Sequence, residues 1–134
     1  MAQAKAPGGS RPHVMTLKKR AEFQRVRKGA RWAGAAFVLE GKARGREGGP
    51  QLPAGPRFGF TVTRQIGKAV ERNRIRRRLK AAVGGVAPGH ARGDFDYVVI
   101  ARRPALTTDF AALEADLVKA LGRVHKHKAP IRGR

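Results

Sequence analysis

The sequence predicts a single α+β domain of order α-β-β-α-β-α, with a small mixed sheet of about four strands. Two observations favour this class. Segments with apolar residues at helical spacing alternate with segments in which apolar residues recur at every second position or form short runs. The chain has 134 residues, of which 41% are hydrophobic, and this suits one domain with a modest core. Helices interleaved with strands in this way predict helices packed against one sheet.

Composition divides the chain into three regions. Residues 1–15 are small, rich in Pro and Gly, and basic, and they predict a disordered tail. Residues 16–124 contain all the predicted helices and strands and form the domain. Residues 125–134 are a second basic tail.

The first predicted helix spans "TLKKRAEFQRVRKG", with Thr16 as its N-cap and Gly29 as its C-cap. Phe23 and Val26 are three residues apart and therefore share one face. The rest of the segment is mostly polar, so this is a short helix with a narrow apolar stripe.

Two strands follow. "RWAGAAFVLEG", residues 31–41, predicts one strand, and the Gly- and Pro-rich residues 41–56 predict a long hairpin connector. In "RFGFTVTR" three apolar residues alternate with small or polar ones, in the order Phe58, Gly59, Phe60, Thr61, Val62, Thr63. This period of two indicates a half-buried strand whose second face is small, polar and open to a ligand.

A helix rich in arginine is predicted from residue 68 to residue 83. Its apolar stripe consists of Ile75, Leu79, Ala82 and Val83. The residues that lie opposite or beside this stripe are Asn73, Arg74, Arg76, Arg77 and Lys80. The arginines therefore coat the outer face of a helix whose inner face packs on the core. Gly84 and Gly85 are expected to end it, and residues 86–94 to form a loop.

The chain closes with a strand and a helix. "FDYVVIARR" predicts a central, mostly apolar strand that Pro104 ends. Thr107 or Thr108 is the expected N-cap of the final helix, with Asp109 near its positive end. The apolar stripe of this helix is Phe110, Leu113, Leu117, Leu121 and Val124.

Charge predicts the partner. Lys and Arg number 30 against 9 acidic residues, a net charge of +21, which predicts a polyanion such as a nucleic acid. Cysteine is absent, which excludes disulfides, thiolate catalysis and cysteine-ligated zinc. Neither a signal-peptide core nor an apolar run long enough for a bilayer is present, so we expect a cytoplasmic protein without a membrane partner.

No protein active site is predicted. The acids are scattered, and Asp94 and Asp96 are interpreted as loop acids at the start of a strand. The one serine, Ser10, lies in the tail, so a serine-nucleophile triad is excluded. His125 and His127 are two residues apart, which is the wrong helical spacing for one metal ion, and both are expected to be solvated.

Arginine supplies a planar fork of donors that suits phosphate and stacks on bases. A row of arginines on one helix face, with Asn73 among them, therefore matches a line of phosphates. Taken alone, this pattern indicates general affinity for RNA or DNA and does not name a partner.

A wider pattern resembles the signature of the protein subunit of bacterial ribonuclease P. That family shows Gly-x-x-Val-Ser at a strand end, then basic residues, Gly-x-Ala-Val and an Arg-Asn-Arg core followed by Lys-Arg and another basic residue. The matching positions here are Gly59, Val62, Thr63, Arg64, Gly67, Ala69, Val70, Arg72, Asn73, Arg74, Arg76, Arg77 and Lys80. The departures are Thr63 for serine, Gln65 and Arg76 for lysine, and Lys80 for arginine. Similar blocks extend the resemblance from about Leu17 to Val124.

The resemblance implies a β-α-β crossover through the arginine helix that is left-handed, against the usual rule. It also implies that a companion RNA holds the Mg²⁺ ions and cleaves precursor tRNA at the 5′ end of the mature sequence. The protein would bind this RNA and the single-stranded 5′ leader, with no obligate protein partner and no catalytic or metal-binding residue of its own. The expected location is the bacterial cytoplasm.

The resemblance also implies site residues. Those facing the catalytic RNA would be Arg64, Lys68, Arg72, Asn73, Arg74, Arg76, Arg77 and Lys80. The leader cleft would contain Phe23, Arg27 and the exposed sheet face around Val38 and Thr61. Arg27 and Glu40 stand where relatives often have aromatic residues, so the contact at Arg27 would be ionic rather than stacked.

Two other classes compete with this interpretation. A ribosomal or other structural RNA-binding protein fits the size, charge and α+β composition equally well, and the order of the motifs is what separates it. A helix-turn-helix DNA-binding protein fits less well, because a strand rather than a short helix precedes the arginine helix.

Overall fold

The computed structural model describes residues 15–44 and 55–126. The helices and strands in chain order are β1 (Met15–Thr16), α1 (Arg20–Arg27), β2 (Ala30–Ala33), β3 (Phe37–Ala43), β4 (Arg57–Thr61), α2 (Ala69–His90), β5 (Phe95–Ala101) and α3 (Phe110–Lys126). Short 3₁₀ helices at Arg64–Ile66 and Arg103–Leu106 precede α2 and α3. This confirms the α+β class. Residues 1–14 and 127–134 of the predicted tails lie outside the described residues, and α3 continues through Lys126.

The five strands form one mixed sheet in the order β1-β4-β5-β3-β2. The central strand β5 pairs parallel with β4 and antiparallel with β3. Helix α2 joins the two parallel strands, which confirms the predicted crossover, while its handedness stays a prediction. The hairpin predicted for residues 41–56 is wrong, because β5 lies between β3 and β4. Most of that connector, residues 45–54, lies outside the described residues.

The segment predicted as one strand, residues 31–41, is a hairpin of two strands. Ala30–Ala33 pairs antiparallel with Phe37–Ala43. The N–H of Gly34 donates to the carbonyl of Phe37 at 2.9 Å and closes the turn. A side chain at Gly34 would collide with the ring of Trp32, so the ring would have to move to admit one. This hairpin and the two-residue β1 raise the strand count from about four to five.

Helix α1 is shorter than predicted. Thr16 is not its N-cap, because this residue belongs to β1 and the next N–H, that of Leu17, donates to Phe58 O at 3.0 Å. The helix begins at Arg20 and ends before Gly29. Its first turn is instead capped by the Glu22 carboxylate, which accepts the backbone N–H groups of Lys18 and Lys19 at 3.2 and 3.1 Å.

Helices α2 and α3 cover one face of the sheet. The predicted stripe of α2, Ile75, Leu79, Ala82 and Val83, is buried there. Contrary to prediction, α2 does not end at Gly84 and Gly85 but continues through Pro88 to His90. The next turn buries Val86 and Ala87 in the same core, and this burial offsets the cost of about 1 kcal/mol for each helical glycine.

Helix α3 packs along its predicted stripe, with Leu113, Leu117, Leu121 and Val124 buried and Phe110 partly buried. The predicted threonine caps are wrong, because the helix starts at Phe110. The hydroxyl of Thr108 donates instead to the carbonyl of Pro104 at 2.7 Å, within the preceding turn. In neither described range is a helix both long and apolar enough to cross a membrane.

Candidate nucleic-acid interface

The outer side of α2 carries a basic surface, here called the arginine face, which consists of Arg72, Asn73, Arg74, Arg76, Arg77 and Lys80. Asn73, Arg74, Arg77 and Lys80 are exposed, and the other two are half-buried. Arg76 donates to the Asn73 side-chain oxygen at 3.0 Å, so the asparagine orients a neighbouring guanidinium. The Lys80 ammonium lies 5.9 Å from the centre of the Phe60 ring. The inner side of the same helix is core, so the cations are held on a rigid support.

Two arginines of α2, Arg78 and Arg72, have guanidinium atoms that are buried or bonded within the protein. Arg78 donates through Nε to Ala105 O at 3.1 Å and through a second nitrogen to Thr108 O. Its guanidinium therefore joins α2 to the turn before α3. Arg72 Nε is buried and has no hydrogen-bond partner among the residues that the structure describes.

The start of α2 is held by an ion pair. The Glu71 carboxylate accepts two hydrogen bonds from Arg103, at 2.9 and 3.0 Å, and one from the Lys68 N–H at 3.0 Å. Arg103, and then the Lys68 N–H, lower the pKa of Glu71 to about 2. The acid within the basic motif is therefore ionised and paired. Arg64 and Lys68 are both exposed just before the helix and extend its basic surface.

The leader cleft was predicted on the second face of the sheet. Strand register places Thr61, Ile100, Val38 and Ala33 in one row across four strands. Thr61 and Ile100 are half-buried and Ala33 is exposed. The expectation of an exposed Val38 is wrong, since only 2% of this residue is exposed between its cross-strand neighbours. The open part of this face therefore consists of Thr61, Ile100 and Ala33, and the buried Val38 does not contribute to it.

Phe23 of α1 lies beside this row and is half-buried. It packs against a small second core of Leu17, Val26 and Val98. A side chain at Gly59 would collide with the Phe23 ring, so the ring lies directly over the glycine of β4. Phe23 therefore helps to attach α1 to the sheet and lies beside the open part of this face.

The other two residues of the predicted cleft differ in exposure. Arg27, at the end of α1, is exposed. Glu40 is 3% exposed, and its carboxylate pairs with Arg31 at 3.0 Å. The charge of Glu40 is therefore offset by Arg31.

The interpretation of Asp96 as a loop acid is wrong. Its carboxylate is fully buried in β5 and accepts hydrogen bonds from three arginines that are far apart in the sequence: Arg25 at 2.7 Å, Arg44 at 2.8 Å and Arg57 at 2.8 and 2.7 Å. Arg57 also donates to Glu22 of α1 at 3.0 Å. These five residues are called the Asp96 cluster below.

Burial alone would raise the pKa of Asp96, but the hydrogen bonds from Arg57, Arg44 and Arg25 hold it below its usual value. Asp96 is thus the anion that three cations share. A sequence signal existed, since an aspartate at the alternate, inward position of an otherwise apolar strand requires a partner.

The expectation of a solvated His125 is also wrong. Its Nε2 lies 2.5 Å from the hydroxyl of Tyr97, and burial lowers its pKa. His125 lines a cavity of about 350 Å³ with Phe95 and Arg92, on the α3 side of the sheet and away from the arginine face. His127 lies outside the described residues. Within the described part of the chain, no three His, Asp or Glu side chains are grouped so that they could hold a metal ion.

The model of the Ribonuclease P family matches residues 12–125 of the chain. A ribonuclease P protein component from Bartonella quintana is 40% identical over 118 residues, which cover 88% of this chain and 89% of that protein. The corresponding protein from Paramagnetospirillum magneticum is 44% identical over 110 residues, covering 81% of this chain and 80% of the relative.

Solved structures agree with the sequence relatives. The fold is similar to the RNase P protein of Staphylococcus aureus, with a TM-score of 0.63, 29% identity, and coverage of 81% of this chain and 95% of that one. It is similar to the RNase P protein from Thermotoga maritima, with a TM-score of 0.66, 25% identity, and coverage of 81% and 96%.

Proposed function

The chain belongs to the ribonuclease P protein family, and we propose that it binds the catalytic RNA of this ribonucleoprotein and the 5′ leader of precursor tRNA. In this proposal the protein assists removal of the leader, and the RNA holds the catalytic groups and the Mg²⁺ ions. The observation that carries the proposal is the arginine face, a row of cations on a helix whose opposite side is buried.

The arginine face suits the phosphates of a folded RNA. Each guanidinium presents donors in a plane and keeps its charge at any physiological pH. The helix fixes the spacing of the residues that carry them, so no backbone freedom is lost when an RNA binds. Arg76, oriented by Asn73, is the part of this face that is preorganised by a hydrogen bond within the protein.

The predicted cleft suits a single-stranded RNA. Phe23 supplies an aromatic edge beside the row of Thr61 and Ile100, and Arg27 supplies a cation at the end of α1. Stacking on an aromatic side chain tolerates any base, which fits a leader whose sequence varies.

A short segment of the chain links these two surfaces. Residues 62–68 connect Thr61, at the end of β4, to the first residue of α2. In this proposal, a leader in the cleft and the catalytic RNA on the arginine face meet at the basic residues Arg64 and Lys68. This suits binding at the point where a leader joins the folded part of its tRNA.

Reconstitution tests the proposal. Labelled precursor tRNA is incubated with the protein alone, with the RNase P RNA alone, and with both, at a low Mg²⁺ concentration. We expect no cleavage by the protein alone, weak cleavage by the RNA alone, and strong cleavage at the mature 5′ end by both. Specific cleavage by the protein alone would contradict the assignment of catalysis to the RNA. A protein that adds nothing to the RNA would contradict the subunit role.

A further inference from the structure

A second basic surface lies at the edge of the sheet. It is formed by residues of β2 and α3 and shares none with the arginine face. Arg31 and Trp32 of β2, with Arg123 and Lys126 of α3, line a shallow concavity of about 250 Å³. These four residues are called the β2–α3 rim. Three cations and one aromatic side chain around a single concavity are the components of a site for unpaired nucleic acid.

The charge of the rim is largely unneutralised. Arg123 and Lys126 are exposed, and neither has a hydrogen-bond or ion-pair partner in the described ranges. Arg31 pairs with Glu40 at 3.0 Å, although more than half of the arginine side chain is exposed. The rim therefore keeps a net positive charge that attracts phosphates.

Trp32 supplies a fixed aromatic surface at the rim. Its ring packs against Phe37, with ring centres 5.6 Å apart, and against the main core, so it is held in place. The remaining surface of this half-buried residue lines the concavity. Bases within a duplex already stack on one another, whereas an unpaired base can stack on a fixed tryptophan.

The rim lies at the end of the open row of the sheet that forms the predicted cleft. Strand β2 is the edge of the sheet, and the open row that begins at Thr61 ends there at Ala33. Arg31 lies on the same face as this row, because it pairs across the strands with Glu40. Trp32 points to the other side, toward α3. An RNA strand that crosses the open face would therefore leave the sheet beside these residues.

We propose that the β2–α3 rim binds the leader nucleotides that extend past the cleft, with Trp32 stacking on a base and Arg123 and Lys126 contacting phosphates. This inference rests on the proposed function. It assigns to the distal leader a site that is separate from the arginine face and from Phe23.

The test uses the holoenzyme, mature tRNA and two precursor tRNAs. The two leaders are about 4 and about 16 nucleotides long, which are the lower and upper sizes of typical single-strand sites. The variants are the double substitution Arg123→Ala with Lys126→Ala, and Trp32→Leu. For the long leader we expect Kd to rise roughly 3- to 10-fold in the double variant at low salt and about 5-fold or more in Trp32→Leu. For the short leader Kd should change less than about 2-fold, because that leader does not reach the rim.

Lys119→Ala is the matched control, since it removes one exposed lysine from the same helix outside the rim. It should leave both values of Kd near wild type. An equal loss for both leaders, no loss for either, or an equal effect of Lys119→Ala would overturn the rim proposal. The double variant keeps the test decisive if Trp32→Leu does not fold, because both of its positions are exposed.

The measurements on the wild-type holoenzyme distinguish a failure of the rim proposal from a failure of the proposed function. If the wild-type holoenzyme binds precursor tRNA more tightly than mature tRNA while the rim variants match it, the rim proposal alone fails. If the wild-type protein gives the RNA no preference for either precursor, the proposed function fails and the rim proposal fails with it.

Discussion

Neighbouring arginines on α2 have different surroundings because one residue along the helix turns a side chain by about 100°. Arg77 points into solvent, whereas Arg78 is half-buried and donates to the carbonyls of Ala105 and Thr108. The same residue type therefore faces solvent at one position, where we propose that it binds RNA, and packs α2 against the turn before α3 at the next.

Arg77→Ala and Leu79→Ala should separate binding from folding. Arg77 is exposed, so its loss should change the free energy of unfolding by at most about 0.5 kcal/mol. RNA affinity should fall, and the slope of log K against log salt should become shallower by about one. Leu79 is 2% exposed, and its truncation should cost about 2–5 kcal/mol of stability. Chemical denaturation and RNA binding at several salt concentrations measure both quantities, and a destabilised Arg77→Ala with an unchanged salt slope would contradict the assignment.

Phe23→Ala should weaken holoenzyme affinity for precursor tRNA by about 1–3 kcal/mol while mature tRNA is bound almost as before. Because Phe23 also packs on Leu17 and Val26, we expect a loss of stability too, smaller than the roughly 3–5 kcal/mol of a fully buried phenylalanine. Phe23→Leu is the control, since it keeps most of the packing and removes the ring. Selective loss of precursor binding in Phe23→Leu supports base stacking, and unchanged binding there would assign Phe23 to packing alone.

At the scale of elements, the attachment of α1 depends on charge as much as on apolar contact. The helix has one fully buried apolar residue, Val26, and its remaining contacts include Arg25 with Asp96 and Glu22 with Arg57. The Asp96 cluster thus joins α1 to the central strand and sets the position of Phe23. Removing the shared anion would leave three cations close together in a buried region.

Asp96→Asn should therefore cost about 3–5 kcal/mol of stability at pH 7. The pKa of Asp96 in the folded protein lies below the unfolded value of about 3.9, so its contribution is present above that pH. The contribution is lost as the pH falls further and the carboxylate takes up a proton. The asparagine variant should lack this part of the acid-induced loss.

Thermal melts from pH 7 down to pH 2 measure the difference, with Asp94→Asn as control because that neighbouring acid is exposed. Asp94→Asn should follow the wild-type curve. An Asp96→Asn protein with wild-type stability, or with the wild-type loss below about pH 4, would contradict the role of the cluster.

At the scale of the whole molecule, a net charge of +21 opposes folding and favours assembly with RNA. The arginine face and the β2–α3 rim concentrate this charge on surfaces where few acids compensate it. The Asp96 and Glu71 carboxylates, in contrast, are each committed to arginines within the fold.

Salt should therefore raise the melting temperature of the free protein. Exposed cations that repel one another are screened at high ionic strength, while the buried Asp96 cluster is screened much less. The gain should be roughly 4 °C for each kcal/mol of repulsion relieved. Calorimetry in low and high sodium chloride measures it, and the Arg123→Ala, Lys126→Ala variant should gain less. A melting temperature that falls with added salt would show that surface ion pairs outweigh the repulsion.

The sequence by itself determined the α+β class and the outward direction of the arginines of α2. These features depend on local periodicity, since a helix that buries Ile75 and Leu79 must expose Arg77. The family could be recognised as well, because its motif lies in one continuous segment.

Only the tertiary structure decided the features that join distant residues. Thr16 pairs with β4, Gly84 and Gly85 stay helical because Val86 and Ala87 are buried, and Asp96 collects arginines from α1, β4 and the end of β3. Local propensities favoured a cap, a helix end and a loop at these positions. Contacts between residues far apart in sequence outweighed them, because pairing and burial depend on neighbours that the local sequence does not specify.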